Sequence, residues 1–209
     1  MTTAKDLFVI AIDQGPEHAV GQGDLSLALA GAELIDLVGA GAVTVDGDRV
    51  VPGGPPAPAP GDRLLGEAAE RLTRQPPYER IEDWLWRRGR DLSSVYQTAL
   101  EEDGELTRKR GGRLSFGSER VEPVDSPGRR RAAGRWEAKE PVLAALASVV
   151  GIDDGRSGDE PGLDDKPGLE DEAVTTVVAA VHDAVMELEA VRQRRTIENA
   201  AYANLWRGP

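Results

Sequence analysis

The sequence predicts a mainly α-helical protein, with a helical core, two short peripheral β-hairpins and a long C-terminal helix. Apolar residues recur at helical spacing through most of the chain, and Gly or Pro ends these segments. Strand-like residues around Gly turns occur at only two places, near residues 42–51 and 107–125. We expect one domain over residues 1–209, with a Pro-rich loop at 52–61 and an acidic flexible linker at 153–170.

The N-terminal helices and the first hairpin are predicted from helix-capping residues and turn residues. Residues 5–12 form either the first helix or a buried strand. Asp24 is a plausible N-cap for a helix from Leu25 to about Val38. Two short strands within residues 42–51 then surround an Asp-Gly turn, which is the usual hairpin connection.

The middle of the chain predicts three further elements. Asp62 caps a helix that stops before Pro76. A helix carrying Ile81 and Leu85 on one face, with Trp84 as a further candidate for that face, ends in arginines. The following helix has an apolar face made of Leu92, Val95, Tyr96, Ala99 and Leu100. The second hairpin comes next, with strand-like residues at Leu114, Phe116 and Val121.

The C-terminal part predicts helices only. Helical segments follow residue 128, and Pro141 is well placed at a helix N-terminus. Residues from about 171 to 206 form one long amphipathic helix or a bent pair. Its apolar stripe consists of Val174, Val177, Val178, Val181, Val185, Leu188 and Val191.

The composition excludes several classes of function. A net charge of −12 argues against nucleic-acid binding over the whole surface. The absence of Cys and the presence of two His argue against thiolate and imidazole metal sites, so we expect no metal and no cofactor. The apolar run at 7–12 is too short to span a membrane, which favours a cytoplasmic protein. Only four of the 25 basic residues are Lys, as is typical of bacterial genomes rich in G and C.

Motifs of catalysis are absent from the sequence. It contains no phosphate-binding G-x-x-x-x-G-K-[ST] loop and no G-x-S-x-G nucleophile motif. His18 and His182 have no partner residue in the sequence that would activate or orient them. We therefore do not expect an enzyme.

Arginine clusters beside tryptophans are the strongest candidate binding feature. Arg87, Arg88 and Arg90 follow Trp84 and Trp86. A guanidinium group matches phosphate oxygens, and Trp is favoured at membrane interfaces. The alternative interpretation is a solvated helix end whose positive charges balance the helix dipole and nearby acids.

The order of these segments resembles the Golgi phosphoprotein 3 family, over roughly residues 5–150. The resemblance is carried by a helix–glycine–hairpin segment, LALAGAELIDLVGAGAVTVDGDRVV, followed by GDRLLGEAAERL. LEEDGEL then precedes a hairpin that ends in VEPVD, and DLFVIAID matches the opening of these proteins.

The resemblance implies a helical core with peripheral hairpins, and a peripheral membrane protein that recognises phosphatidylinositol 4-phosphate headgroups. In eukaryotic members a Trp, an Arg and a pair of basic residues form the headgroup pocket. These positions fall near Gly21 and Ala30 and at Arg90 and Ser93, so one of the four keeps its basic group. Arg90 is accordingly the first candidate contact, together with Arg87 and Arg88.

The second hairpin is the other feature that the resemblance singles out, because the family uses a hydrophobic hairpin for membrane insertion and oligomer formation. Here the candidate membrane contacts are Arg110, Arg113, Leu114 and Phe116. Trp84 or Trp86 would anchor the protein at the interface.

Two hypotheses about function follow. In the first, the protein contacts an anionic phospholipid or phosphoinositide headgroup, without catalysis, at the inner membrane surface. In the second, it is a protein-interaction scaffold that keeps the fold and has lost the lipid site, with the acidic segment 153–172 engaging a basic partner. Either form could be a homo-oligomer.

Overall fold

The computed structural model describes residues 2–15, 18–53, 62–109, 120–152 and 171–205, and within these ranges it contains eight helices and two antiparallel strand pairs. The predicted mainly α-helical class is confirmed. The helices are α1 (Thr3–Asp13), α2 (Gln22–Gly39), α3 (Arg63–Glu70), α4 (Ile81–Arg88), α5 (Leu92–Glu102), α6 (Pro127–Glu137), α7 (Pro141–Val149) and α8 (Glu172–Leu205). The strands are β1 (Val43–Asp46), β2 (Arg49–Pro52), β3 (Leu106–Lys109) and β4 (Arg120–Pro123).

Helix α2 lies at the centre of the helical core. Helices α1, α4, α5 and α8 all pack against it. Residues from Leu25 to Ile35 are buried without interruption, as expected for a helix that other helices surround. A methyl group added at Gly31 would collide with Cγ2 of Val181, so this glycine sets the close approach of α8 to α2.

The N-terminal segment is a helix, which resolves the choice between a helix and a buried strand. The carboxylate of Asp36 on α2 accepts hydrogen bonds from the backbone N–H groups of Thr3 and Ala4, at 3.0 and 3.2 Å. These bonds satisfy two of the free donors at the start of α1. Burial raises the pKa of Asp36 above its usual value, and the two hydrogen bonds offset only part of this increase.

One helical boundary and one buried position differ from the sequence prediction. Helix α2 begins at Gln22, so Asp24 lies inside its first turn and does not cap it; the N-cap is Gly21. Val95 was expected on the buried face of α5, but it is 39% exposed. The predicted cap at Asp62 is confirmed, because its side chain accepts from the N–H of Leu65, and so is Pro141 at the start of α7.

The two hairpins lie at the expected positions. Strands β1 and β2 pair from Val43↔Pro52 to Asp46↔Arg49, and Gly47 adopts a φ of 59° in the turn. Strands β3 and β4 pair from Leu106↔Pro123 to Lys109↔Arg120. The predicted strand residues Leu114 and Phe116 lie outside the described residues, as do the Pro-rich loop from residue 54 and the acidic linker.

Helix α8 is a single helix of 34 residues, so the alternative of a bent pair does not hold. Val177, Val178 and Val181 are fully buried, which confirms the centre of the predicted apolar stripe. Beyond Arg192 the described side chains, up to residue 199, are exposed. None of the helices in the described ranges is long and apolar enough to cross a membrane.

Candidate functional site

Arg88, a predicted headgroup contact, lies in the core. It is 4% exposed, and its Nε and Nη2 donate to the two carboxylate oxygens of Glu33 at 2.7 and 2.8 Å. The hydroxyl of Tyr96 donates to Oε1 of the same carboxylate at 3.1 Å. Because this guanidinium is enclosed and bidentately paired, the structure places Arg88 in a buried ion pair and away from any surface site.

Arg87 is exposed but already paired. Its Nε and Nη2 donate to both carboxylate oxygens of Glu79, at 2.6 and 2.7 Å, and Nη2 also donates to the carbonyl of Arg71. The guanidinium carbon lies 5.2 Å from the ring centroid of Trp84, within the range of a cation–π interaction. The hydrogen bond to Glu79 raises the pKa of Arg87.

The two tryptophans of α4 have different surroundings. Trp84 is fully buried, and its Nε1 donates to the carbonyl of Ala30 at 3.1 Å, so it is a core residue and not an interface anchor. Trp86 is partly buried at the surface of the core. Of the two predicted anchors, only Trp86 is accessible.

Trp86 and Arg90 both line an open cleft of about 500 Å³. The cleft lies between the first turn of α2, the connection from α4 to α5, and Leu188 of α8. The remaining lining residues are Gln22, Gly23, Ser26, Leu27, Gly89, Asp91, Ser93 and Ser94.

Arg90 is the cation of this cleft. Its side chain is exposed and makes no ion pair or hydrogen bond with any residue in the described ranges. The connection that presents it is tight: Gly89 ends α4, and a methyl group at this position would lie 2.5 Å from the carbonyl oxygen of Leu85. A residue with a side chain would not fit there. Glycine is therefore required at the point where the connection that carries Arg90 begins.

Two serines that line the cleft are hydrogen-bonded to each other. The hydroxyl of Ser26 donates to the hydroxyl of Ser93 at 3.0 Å, and the backbone N–H of Ser93 donates to the Ser26 hydroxyl at the same distance. Asp91 adopts a φ of 55° and does not cap α5 with its side chain. Among the described residues, the cleft therefore presents the unpaired guanidinium of Arg90 next to the exposed carboxylate of Asp91 in the sequence.

The four positions that the resemblance singled out lie in or near the cleft, with one exception. Arg90 and Ser93 line it, and Gly21 immediately precedes its Gln22. Ala30 is fully buried among the core helices. The candidate contact Arg90 thus lines the cleft, and its role stays a prediction. The hairpin residues Arg110, Arg113, Leu114 and Phe116 lie outside the described residues and also remain predictions.

Arg192 and Asp24 form an ion pair at the edge of the cleft that the sequence does not predict. Nη1 of Arg192 on α8 donates to both carboxylate oxygens of Asp24, at 2.9 and 2.7 Å. The two residues are 168 positions apart in the chain, and no local pattern in the sequence connects them.

The arginines of α6 form ion pairs with acids of neighbouring segments. Arg129 pairs with Asp13 at 2.8 Å, and Arg135 pairs with the buried Asp6 at 2.6 Å. These arginines therefore attach α6 to α1 and balance the charges of Asp13 and Asp6.

Metal and general-base chemistry find little support in the described residues. No group of three His, Asp or Glu side chains there is arranged to hold a metal ion. His18 and His182 are both exposed, and neither lines the cleft.

The described part of the chain is a helical protein with two peripheral hairpins and an open surface cleft lined by Arg90, which has no partner among the described residues. The chain belongs to the GPP34 family, described as Golgi phosphoprotein 3, whose model matches residues 4–188. This match confirms the resemblance and extends it through the first half of α8. GPP34 is not a known enzyme family. A search of curated proteins finds no match to the chain.

Proposed function

We propose that this protein is a non-enzymatic peripheral membrane protein that binds an anionic phospholipid headgroup in the Arg90 cleft. The observation that carries the proposal is the free guanidinium of Arg90 in an open cleft, at the position where the resemblance to the family implies a headgroup contact. Membership in GPP34 is consistent with lipid binding. The ligand class is a phosphoinositide or another anionic lipid.

The chemistry of the cleft suits a phosphate group at a membrane surface. An unpaired guanidinium can donate two parallel hydrogen bonds to phosphate oxygens. Trp86, which lines the same cleft, offers an amphipathic ring, which is favoured at the interface between lipid and water. The net charge of −12 opposes the approach to an anionic surface, so binding depends on this local cation and weakens as salt increases.

Flotation of vesicles tests the proposal. Phosphatidylcholine vesicles with phosphatidylinositol 4-phosphate or phosphatidylserine are compared with pure phosphatidylcholine at low and physiological salt. We expect binding to the anionic vesicles, and a loss of about tenfold in Arg90→Ala, as for a lost charged hydrogen bond. Arg130→Ala is the matched control, because Arg130 is exposed on α6 and does not line the cleft.

A wild-type protein that stays in the soluble fraction with every anionic vesicle at low salt would overturn the proposal. Equal losses in Arg90→Ala and Arg130→Ala would show a general charge effect and would remove the cleft from the proposal.

The alternative is a protein-interaction scaffold. It is favoured by Ser93, whose backbone N–H and hydroxyl are both bound to Ser26, where the family resemblance implies a basic residue. Affinity capture from the native host, with and without residues 153–172, distinguishes this function. A specific partner that is lost on deletion would support it, and identical partners without the segment would exclude its role.

A further inference from the structure

The position of Arg192 relative to the cleft suggests a second role for α8. A methyl group built at Gly23 would lie 2.8 Å from Cδ2 of Leu188 and 3.0 Å from Nη2 of Arg192. Gly23 and Leu188 both line the cleft. Nη2 of Arg192 therefore lies close to Gly23 at the edge of the cleft, and it can do so because residue 23 has no side chain.

Asp24 engages only part of this guanidinium. Both hydrogen bonds to Asp24 come from Nη1, while Nη2 makes no hydrogen bond with any residue in the described ranges. The pair is partly open to water, with Arg192 39% and Asp24 15% exposed. A donor group thus remains available on the side that faces Gly21 and Gly23.

Gly21 explains how this arrangement fits. A methyl group at Gly21 would overlap Oδ2 of Asp24 and would lie 3.5 Å from Nη2 of Arg192. The carboxylate and the guanidinium together occupy the space that a side chain at residue 21 would need. An arginine from α8 consequently stands beside the cleft where the sequence has no basic residue on α2.

We propose that Arg192 is a second anion-binding residue of the Arg90 cleft, and that Asp24 limits the anion affinity by holding its guanidinium. This inference rests on the proposed function, because it assigns a further contact to the same ligand. The ligand chemistry is a phosphate group, placed between a cation of the α4–α5 connection and a cation of α8. Removal of the Asp24 charge leaves Nη1 of Arg192 with only the longer ion pair to Glu189, at 3.6 Å, so this group becomes more available to an anion.

A double-mutant cycle separates this role from a purely structural ion pair. Arg192→Ala and Asp24→Asn break the same pair, so a structural role would change binding in the same direction in both variants, or in neither. We expect Arg192→Ala to lower the affinity for phosphatidylinositol 4-phosphate vesicles by about fivefold, the loss for one basic residue near an anionic surface. We expect Asp24→Asn to raise it.

The double variant excludes a general effect of charge. If Asp24 acts by holding Arg192, the gain from Asp24→Asn disappears in the Arg192→Ala background. Arg194→Ala is the matched control, since Arg194 is exposed and lies about one and two-thirds turns after Leu188, on a different face of α8. Soluble inositol 1,4-bisphosphate, measured by calorimetry, serves as a second probe and shows whether the phosphate must belong to a membrane.

The outcomes distinguish this inference from the proposed function. Wild-type binding that falls in Arg90→Ala and is unchanged in Arg192→Ala overturns only the role of Arg192. An equal gain from Asp24→Asn in both backgrounds overturns it as well. Absence of wild-type binding to the vesicles and to the soluble headgroup overturns both proposals.

Discussion

Arg88 and Glu33 form a bidentate ion pair in the middle of the helical core, with donor–acceptor distances of 2.7 and 2.8 Å. The pair joins α4 to α2, and both side chains are at most 3% exposed. Two positions later, Arg90 is exposed and unpaired within the described residues. Arg88 and Arg90 therefore differ in role. Substitution of Arg88 should reduce stability, whereas substitution of Arg90 should reduce anion binding.

Arg88→Ala should destabilise the fold strongly. It leaves the carboxylate of Glu33 buried without its cation, which costs about 3–5 kcal/mol for buried pairs. Urea unfolding measures the change. Arg87→Ala is the control, because it also removes a bidentate arginine from α4 but at an exposed site, where a loss below about 1 kcal/mol is expected. Equal losses in the two variants would contradict the burial of Arg88.

The cost of Arg88→Ala should depend on pH. Burial raises the pKa of Glu33 above its ordinary value of 4.5, and Arg88 is the main group that lowers it. Without Arg88, the folded state holds the Glu33 proton more tightly than the unfolded chain does. The variant should therefore be least destabilised below about pH 4.5 and lose stability as the pH rises through the folded-state pKa. Unfolding curves between pH 4 and 7 test this, and a constant difference from wild type would argue against it.

Gly31→Ala should destabilise the contact between α2 and α8. The added methyl group would overlap Cγ2 of Val181, a buried side chain with little room to move, and overpacking of this kind costs about 1–3 kcal/mol. Gly66→Ala is the matched substitution in α3, where a methyl group would have no neighbour within 4 Å. Because Ala has the higher helix propensity, this variant should gain about 0.5–1 kcal/mol. Thermal unfolding should give opposite signs for the two variants.

Asp91→Asn should strengthen anion binding in the Arg90 cleft. Asp91 places a carboxylate beside Arg90, and Asn tolerates its φ of 55° while removing the charge. We expect a gain of about fivefold for vesicles that contain phosphatidylinositol 4-phosphate, comparable to the effect of one charge near an anionic surface. Asp103→Asn, at the far end of α5, should leave vesicle binding nearly unchanged. Equal effects of the two variants would count against a ligand close to Arg90.

The sequence by itself determined the local elements. Helical spacing of apolar residues predicts α2, α4, α5 and α8, because each of these helices buries one apolar face in the core. The cap at Asp62, the proline at the start of α7 and the turn after Asp46 are equally local, since each depends on the preference of one or two residues for a backbone conformation. These features need no information from distant parts of the chain.

Only the tertiary structure decided which of the charged residues are free. Arg88 is buried because Glu33, 55 residues earlier, lies opposite it, and Asp24 binds Arg192 because α8 crosses the start of α2. The spacing of Arg87, Arg88 and Arg90 in the sequence does not distinguish them, because it does not show which residue of another element will pack against each one. The energy of a charge depends on its desolvation and on its nearest opposite charge, and both are fixed by the packing of helices that are distant in sequence.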